Sequence, residues 1–184
     1  MKKGFFILLM IIFCENLSAQ TYIKGNAVLL PIGMYNGALE AKINDKITIQ
    51  PEFFVSPWKS FLGKRFQIYY ISGEGRYYFK ESFNGFFVGG NVGIAFFDIK
   101  KWNYLDSTKY QRGYTFLLGA TVGYQYKISE NWNADFFLGG GTSQGFYHGY
   151  NEVDGERYEG GTPWNRSGEW IPYKGGIMIS YKLK

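Results

Sequence analysis

The stretch YTFLLGATVGYQYKI, Tyr114 to Ile128, divides into two sets when every second residue is taken. One set is Tyr114, Phe116, Leu118, Ala120, Val122, Tyr124, Tyr126 and Ile128; the other is Thr115, Leu117, Gly119, Thr121, Gly123, Gln125 and Lys127. Successive side chains of a strand point to opposite sides of the pleat, so this alternation predicts a long β-strand with one apolar face. The aromatic residues stand at the two ends of that face, with Leu118, Ala120 and Val122 between them.

The same order recurs elsewhere. Phe86 and Phe96 bracket Val88, Gly90, Val92 and Ile94; Tyr69 and Tyr77 bracket Ile71, Gly73 and Gly75; Tyr173 and Tyr181 bracket Gly175, Ile177 and Ile179. The outermost rings of each set are eight to twelve residues apart. At ~3.3 Å per residue on a strand tilted ~40°, that spacing spans roughly 20 to 30 Å and brackets the ~25 Å apolar band of an outer-membrane barrel. Tyr and Trp favour the edges of such a band because the ring lies in hydrocarbon while the polar tip reaches the headgroups. The expected girdle is Tyr69, Tyr77, Phe86, Phe96, Tyr114, Phe116, Tyr124, Tyr126, Tyr173 and Tyr181. A soluble periplasmic ligand-binding barrel or a sandwich, with the apolar face turned to a core, is the alternative.

Eight strands emerge from alternation and turn signals: Thr21 to Leu30, Asn36 to Ile43, Lys46 to Val55, Phe66 to Phe79, Gly85 to Ile99, Tyr114 to Ile128, Trp132 to Tyr147 and Glu169 to Leu183. Short connections at Asn44-Asp45, Lys80 to Asn84 and Ser129 to Asn131 alternate with longer ones at Ser56 to Arg65, Lys100 to Gly113 and His148 to Gly168, and with a short one at Pro31 to Tyr35. The expected fold is therefore all-β: an eight-stranded antiparallel up-and-down transmembrane barrel with short periplasmic turns and longer extracellular loops. A closed ring is required because an open sheet edge in lipid leaves backbone groups unpaired.

The chain opens with Met1-Lys2-Lys3, the apolar run Gly4 to Phe13 and a small residue, Ala19, which together read as a secretory signal peptide over residues 1–19. Cys14 is preceded by Phe13 rather than a small residue, so it reads as part of the discarded leader, not a lipidation site. Residues 20–184 then form the barrel, free of cysteine and with no 18-residue apolar run, which excludes disulfide staples and spanning helices. Loss of Lys2, Lys3 and Glu15 takes the net charge from +5 to +4. With no basic cluster, nucleic acid is not an expected partner.

The opposite strand faces are polar. Glu40, Glu52, Glu74, Arg76, Asn91, Gln125 and Asp135 are expected to meet inside as a structural hydrogen-bonded plug, with Arg76 pairing the carboxylates and an open pore excluded. Lys42 and Lys174 fall on the same face, and glycines at Gly89, Gly93, Gly119, Gly123, Gly139 and Gly141 make room for long polar groups. Glu52 with Glu74 suggests acid/base chemistry only if a cleft is present. His148, with Ser143, Ser167 or Asp154 near it in sequence, suggests a lipid-modifying outer-membrane hydrolase as a second reading. The loop 148–168 carries Glu152, Asp154, Glu156 and Glu159 at spacings that match no calcium loop, and Gly139-Gly140-Gly141 precedes no helix and so cradles no phosphate. No catalytic, metal or cofactor site is expected. The expected partners are outer-membrane lipid and lipopolysaccharide, with loop 148–168 free to meet a protein.

Several segments together resemble a family of small Bacteroidetes outer-membrane β-barrels known only as a domain of unknown function. They are SPW at Ser56 to Trp58, EGRYYF at Glu74 to Phe79, SFNGFFVGG at Ser82 to Gly90, GYQY at Gly123 to Tyr126, ENWN at Glu130 to Asn133 and IPYKGGIMISY at Ile171 to Tyr181. The resemblance runs from about Lys24 to Lys184. It implies an eight-stranded outer-membrane barrel and brings no activity with it.

Overall fold

A computed structural model describes residues 20–101, 107–158 and 163–183; the leader expected over 1–19 lies outside the described residues. The strands are β1 (Thr21–Asn26), β2 (Tyr35–Lys42), β3 (Ile47–Phe61), β4 (Lys64–Tyr78), β5 (Gly85–Ile99), β6 (Lys109–Lys127), β7 (Trp132–Asn151) and β8 (Asn165–Lys182). Each pairs antiparallel with its sequence neighbours, and β1 pairs with β8, so the eight strands form a closed ring. Closure runs through Ile23 opposite Tyr181 and Gly25 opposite Ile179. Both described termini, with the turns after β2, β4 and β6, lie at one end, the turn end. The opposite end is the loop end.

Alternation along the strands sorts the residues sharply by side. Ile71, Val92, Leu118 and Leu138 on the outside are each 61–63% exposed, whereas Glu40, Gln50, Gln125 and Asp135 on the inside are wholly buried. A one-residue slip in any pairing would exchange the two sets, so the register is strongly specified.

Three expectations about element ends are corrected. The first strand stops at Asn26 rather than Leu30, because the Asn26 side chain accepts from the Val28 N–H (3.2 Å) and turns the chain into a 3₁₀ helix at Leu30–Ile32. Ser56 to Arg65 is not a loop. The β3–β4 ladder continues through Pro57 opposite Gln67 and Trp58 opposite Phe66 to Phe61 opposite Lys64, leaving Leu62-Gly63 as a two-residue turn. Finally, β6 begins at Lys109, β7 runs on to Asn151 and β8 begins at Asn165, so part of the length expected in loops 100–113 and 148–168 is strand, projecting at the loop end. Residues 102–106 and 159–162 within those connections lie outside the described residues.

Leu62 (φ 49°) and Gly63 (φ 75°) both take the left-handed conformation that a type I′ hairpin turn demands. Leucine adopts it at a cost of about 1–2 kcal/mol, and Leu62 recovers nothing by packing because it is 87% exposed. Leu62→Asn should therefore tighten the hairpin tip, since asparagine tolerates this region, whereas Gly63→Ala should loosen it. Hydrogen exchange at the amides between Trp58 and Phe66 should slow in the first variant and quicken in the second; the same direction in both would contradict the turn assignment.

Candidate functional site

The interior is stacked in layers, each traceable to inward positions of the strands. At the turn end Tyr22, Tyr78, Phe83, Phe87, Phe137 and Met178 are buried together. Phe83 sits in the β4–β5 turn with φ 68°, and its ring lies 4.7 Å from that of Tyr22 and 6.4 Å from that of Tyr78. The strained backbone thus turns an apolar ring into the end of the barrel and closes it.

Above this floor lies an ion cluster. Arg76 donates from Nε to Glu74 Oε1 (2.6 Å) and from Nη1 to Asp135 Oδ2 (2.7 Å), with Glu40 Oε2 at 3.5 Å and its guanidinium 4.3 Å over the Phe87 ring. Lys24 donates to Asp135 (2.7 Å) and pairs with Glu40; Lys174 pairs with Glu52 (2.7 Å) and with Glu74. Four carboxylates therefore meet three cations, and neutral donors supply the difference. Thr48 (2.5 Å) and Tyr78 (2.7 Å) donate to Glu40, Asn36 (3.0 Å) and Gln50 (3.3 Å) to Glu52, and Thr121 (3.0 Å) to Glu74. Asn91 donates to Thr121 (3.1 Å) and accepts from the Tyr173 hydroxyl (2.5 Å), while Gln125 lies 2.5 Å from the Tyr78 hydroxyl.

All seven residues expected in the plug are buried within this assembly. Lys24, which sequence reasoning left out, is buried between Glu40 and Asp135. Its signal was a lone lysine on the Tyr22 and Asn26 side of a short strand. Lys174 is likewise inside, but Lys42 is at the turn end, paired with Asp45 (2.7 Å) and partly exposed. Of the six inward glycines, Gly93 and Gly123 clear space for rings, whereas Gly119, Gly139 and Gly141 lie closest to a neighbouring strand's backbone or to a hydroxyl. A Cβ at Gly123 would stand 2.4 Å from Phe87 and one at Gly93 2.7 Å from Tyr70, whereas Gly89 alone faces a cluster carboxylate, Glu74, at 3.0 Å.

Of the expected girdle, Tyr69, Tyr77, Phe86, Phe96, Phe116, Tyr124, Tyr126 and Tyr181 are exposed on the outer face, and Tyr114 is half-buried outside among Phe96, Phe146 and Trp164. Tyr173 is a correction. The ladder passes from Gly139 opposite Lys174 to Gly140 opposite Pro172, leaving Tyr173 as the extra residue of a β-bulge. Tyr173 and Lys174 both turn inward as a result, and facing parity is reversed from Ile171 upward. Pro172 in mid-strand was the available signal.

The layer above the cluster is also unlike the expected filled interior. Phe54, Phe66, Ile68, Tyr70, Ala95 and Leu117 wall a cavity of about 500 Å³, which rests on Glu52, Tyr173 and Lys174 and reaches the loop end at Lys101 and Glu169. The rim is charged. Lys101 donates to Glu169 there (2.6 Å), while on the outer side of the loop end Asp98 receives Arg112 (2.7 Å) and Arg65 (3.3 Å), and Glu152 receives Lys100 (2.5 Å). The Asp98 hydrogen bond raises the pKa of Arg112 above its ordinary value.

Glu52 and Glu74 are committed to Lys174, which leaves neither placed as a general base. His148 stacks on Trp164 at 4.0 Å on the outer face, whereas Ser143 bonds Thr115 inside (2.7 Å), Ser167 lines the cavity and Asp154 lies in the exposed β7–β8 connection. The four residues do not converge. Among the described residues, no three His, Cys, Asp or Glu side chains are grouped to hold a metal ion.

Removing one member of a buried ion pair costs about 3–5 kcal/mol, because the partner stays buried and uncompensated. Arg76→Met should lower unfolding stability by about that amount, and adding Glu74→Gln with Asp135→Asn should restore most of it. Urea unfolding followed by tryptophan fluorescence measures both; an Arg76→Met variant as stable as the parent would contradict the cluster's role.

No curated protein and no solved structure matches the chain. A family model described as Protein of unknown function (DUF3575) matches residues 5–183, and the chain belongs to that family.

Proposed function

We propose that this chain is a non-conducting, non-enzymatic β-barrel of the bacterial outer membrane, exported by its leader and cut near Ala19. Its loop end faces the outside, lipopolysaccharide or a partner protein through residues 148–168. The observation that carries the reading is the reversed polarity of the ring. Leu118, Val122, Ile71 and Val92 stand exposed on the outside while Arg76, Glu74 and Asp135 are buried inside. An apolar surface that encircles a molecule needs an apolar medium, and a closed ring is the strand architecture that leaves no unpaired edge in one. Among the described residues no helix is long and apolar enough to cross a membrane.

The interior supports a structural rather than a transporting role. The aromatic floor around Phe83 and the ion cluster around Arg76 block the axis one above the other. The loop end, with His148 stacked on the exposed Trp164, offers aromatic surface suited to recognition.

Cells expressing the full chain should yield it in the carbonate-resistant membrane fraction; recovery in the soluble periplasm without detergent would overturn the membrane reading. In planar lipid bilayers the purified protein should give no steady conductance, and an open channel would overturn the closed axis. His148→Ala should leave lipid A unchanged in mass spectra of whole-cell extracts, whereas loss of a lipid A modification in that variant would establish the hydrolase instead.

A further inference from the structure

The cavity above the ion cluster serves no purpose in a merely plugged barrel. Its walls are apolar on the sides formed by β3, β4, β5 and β6, through Phe54, Phe66, Ile68, Ala95, Phe97 and Leu117. A volume of about 500 Å³ falls among ligand pockets, which run from ~300 to ~1,000 Å³. The lining on β5 begins at Ala95 and reaches Lys101 just past the strand. The six steps from Ala95 to Lys101 correspond to ~15 Å of depth on a strand tilted ~40°. The space is therefore a narrow, closed-ended apolar sleeve entered from the loop end.

Charge decides which end of a ligand goes in first. At the closed end Lys174 is already held between Glu52 and Glu74, so an anion entering there meets two carboxylates and no uncommitted cation. At the mouth Lys101 is paired with Glu169, and both side chains line the cavity. The Glu169 side chain is 46% exposed and lies at the edge of the sleeve, so it can yield its place on Lys101 to another anion.

We propose that the sleeve binds a single-chain anionic amphiphile, with its acyl tail between Phe54, Ile68 and Leu117 and its carboxylate or phosphate head on Lys101. The site lies wholly inside the ring and stands apart from what the outer face touches; the membrane reading supplies only the medium for its test. Two sources carry this chemistry: a free fatty acid, and a lysolipid bearing one chain and a phosphate.

The protein is inserted into phosphatidylcholine nanodiscs, and insertion is checked by heat-modifiable electrophoretic mobility before any ligand is added. Failure at that step counts against the membrane reading and not against the sleeve. Laurate, dodecanol and 1-lauroyl-lysophosphatidylglycerol are then added separately, and retained ligand is counted by native mass spectrometry of the ejected protein. One laurate or one lysolipid per barrel is expected. Laurate alone assigns a free fatty acid, lysolipid alone assigns a lipid-derived ligand, and retention of both assigns the shared chemistry. Ala95→Phe, which fills the sleeve, should lose retention at least tenfold, while Val92→Phe on the outer face should not. Lys101→Gln should weaken laurate or lysolipid about tenfold and leave dodecanol unchanged. No retention by the inserted parent protein, or equal retention in Ala95→Phe, would overturn the proposal. An unchanged anion affinity in Lys101→Gln would overturn the placement of the head.

Discussion

The ion cluster centred on Arg76 is the constraint around which the rest is arranged. Its charged members come from β1 (Lys24), β2 (Glu40), β3 (Glu52), β4 (Glu74 and Arg76), β7 (Asp135) and β8 (Lys174), and Asn91 of β5 and Thr121 of β6 complete the circuit. Every strand of the ring therefore commits a side chain to one buried assembly. A slip of one residue in any strand would withdraw a charge or a hydrogen-bonding side chain from it and turn that group outward, leaving partners buried and unsatisfied. Backbone pairing alone permits such slips; the cluster penalises each of them, so the register of the whole ring follows from a few ionic contacts at mid-height.

The layers on either side follow from what a charged middle leaves unfilled. An eight-stranded ring encloses a space that side chains can just fill, and charges can occupy only as much of it as can be mutually satisfied. Below, the aromatic side chains Tyr22, Tyr78, Phe83 and Phe87 complete the filling. Gly123 lets this happen, because any side chain there would collide with Phe87. Above, the rings of Tyr70 and Tyr173 and the side chain of Leu117 narrow the space without closing it. The difference between the two ends is thus one of packing, and it makes the barrel a cup.

How much of this was legible in the sequence depended on how local the signal was. Alternation on Tyr114 to Ile128 and its counterparts revealed the strands and their polar sides, and the plug residues from Glu40 to Asp135 could be collected from that alone. What lay across the ring could not be read along a strand. Lys24 declares its role only once Glu40 and Asp135 are seen to flank it, and Tyr173 changes sides because the bulge after Pro172 breaks the parity on which its assignment rested. The cavity did leave a trace. At Phe53-Phe54, Ile68 to Ile71 and Ala95 to Phe97 the apolar residues stop alternating and occupy both faces. Greasy residues on both sides of a strand mean an apolar interior as well as an apolar exterior.

The cup has a direction. Its turn end is closed by Phe83, whose unfavourable backbone conformation is retained because relaxing it would withdraw the ring from Tyr22 and Tyr78. Its middle is closed by salt bridges that cannot be parted singly without stranding a charge. The loop end, by contrast, carries Lys101 paired with Glu169, whose side chain is 46% exposed, and such a pair exchanges partners at little cost in water. A molecule that enters at that end must leave by it. Passage through the barrel is thereby separated from binding within it, and the chemistry of this fold belongs to the side on which its strands project.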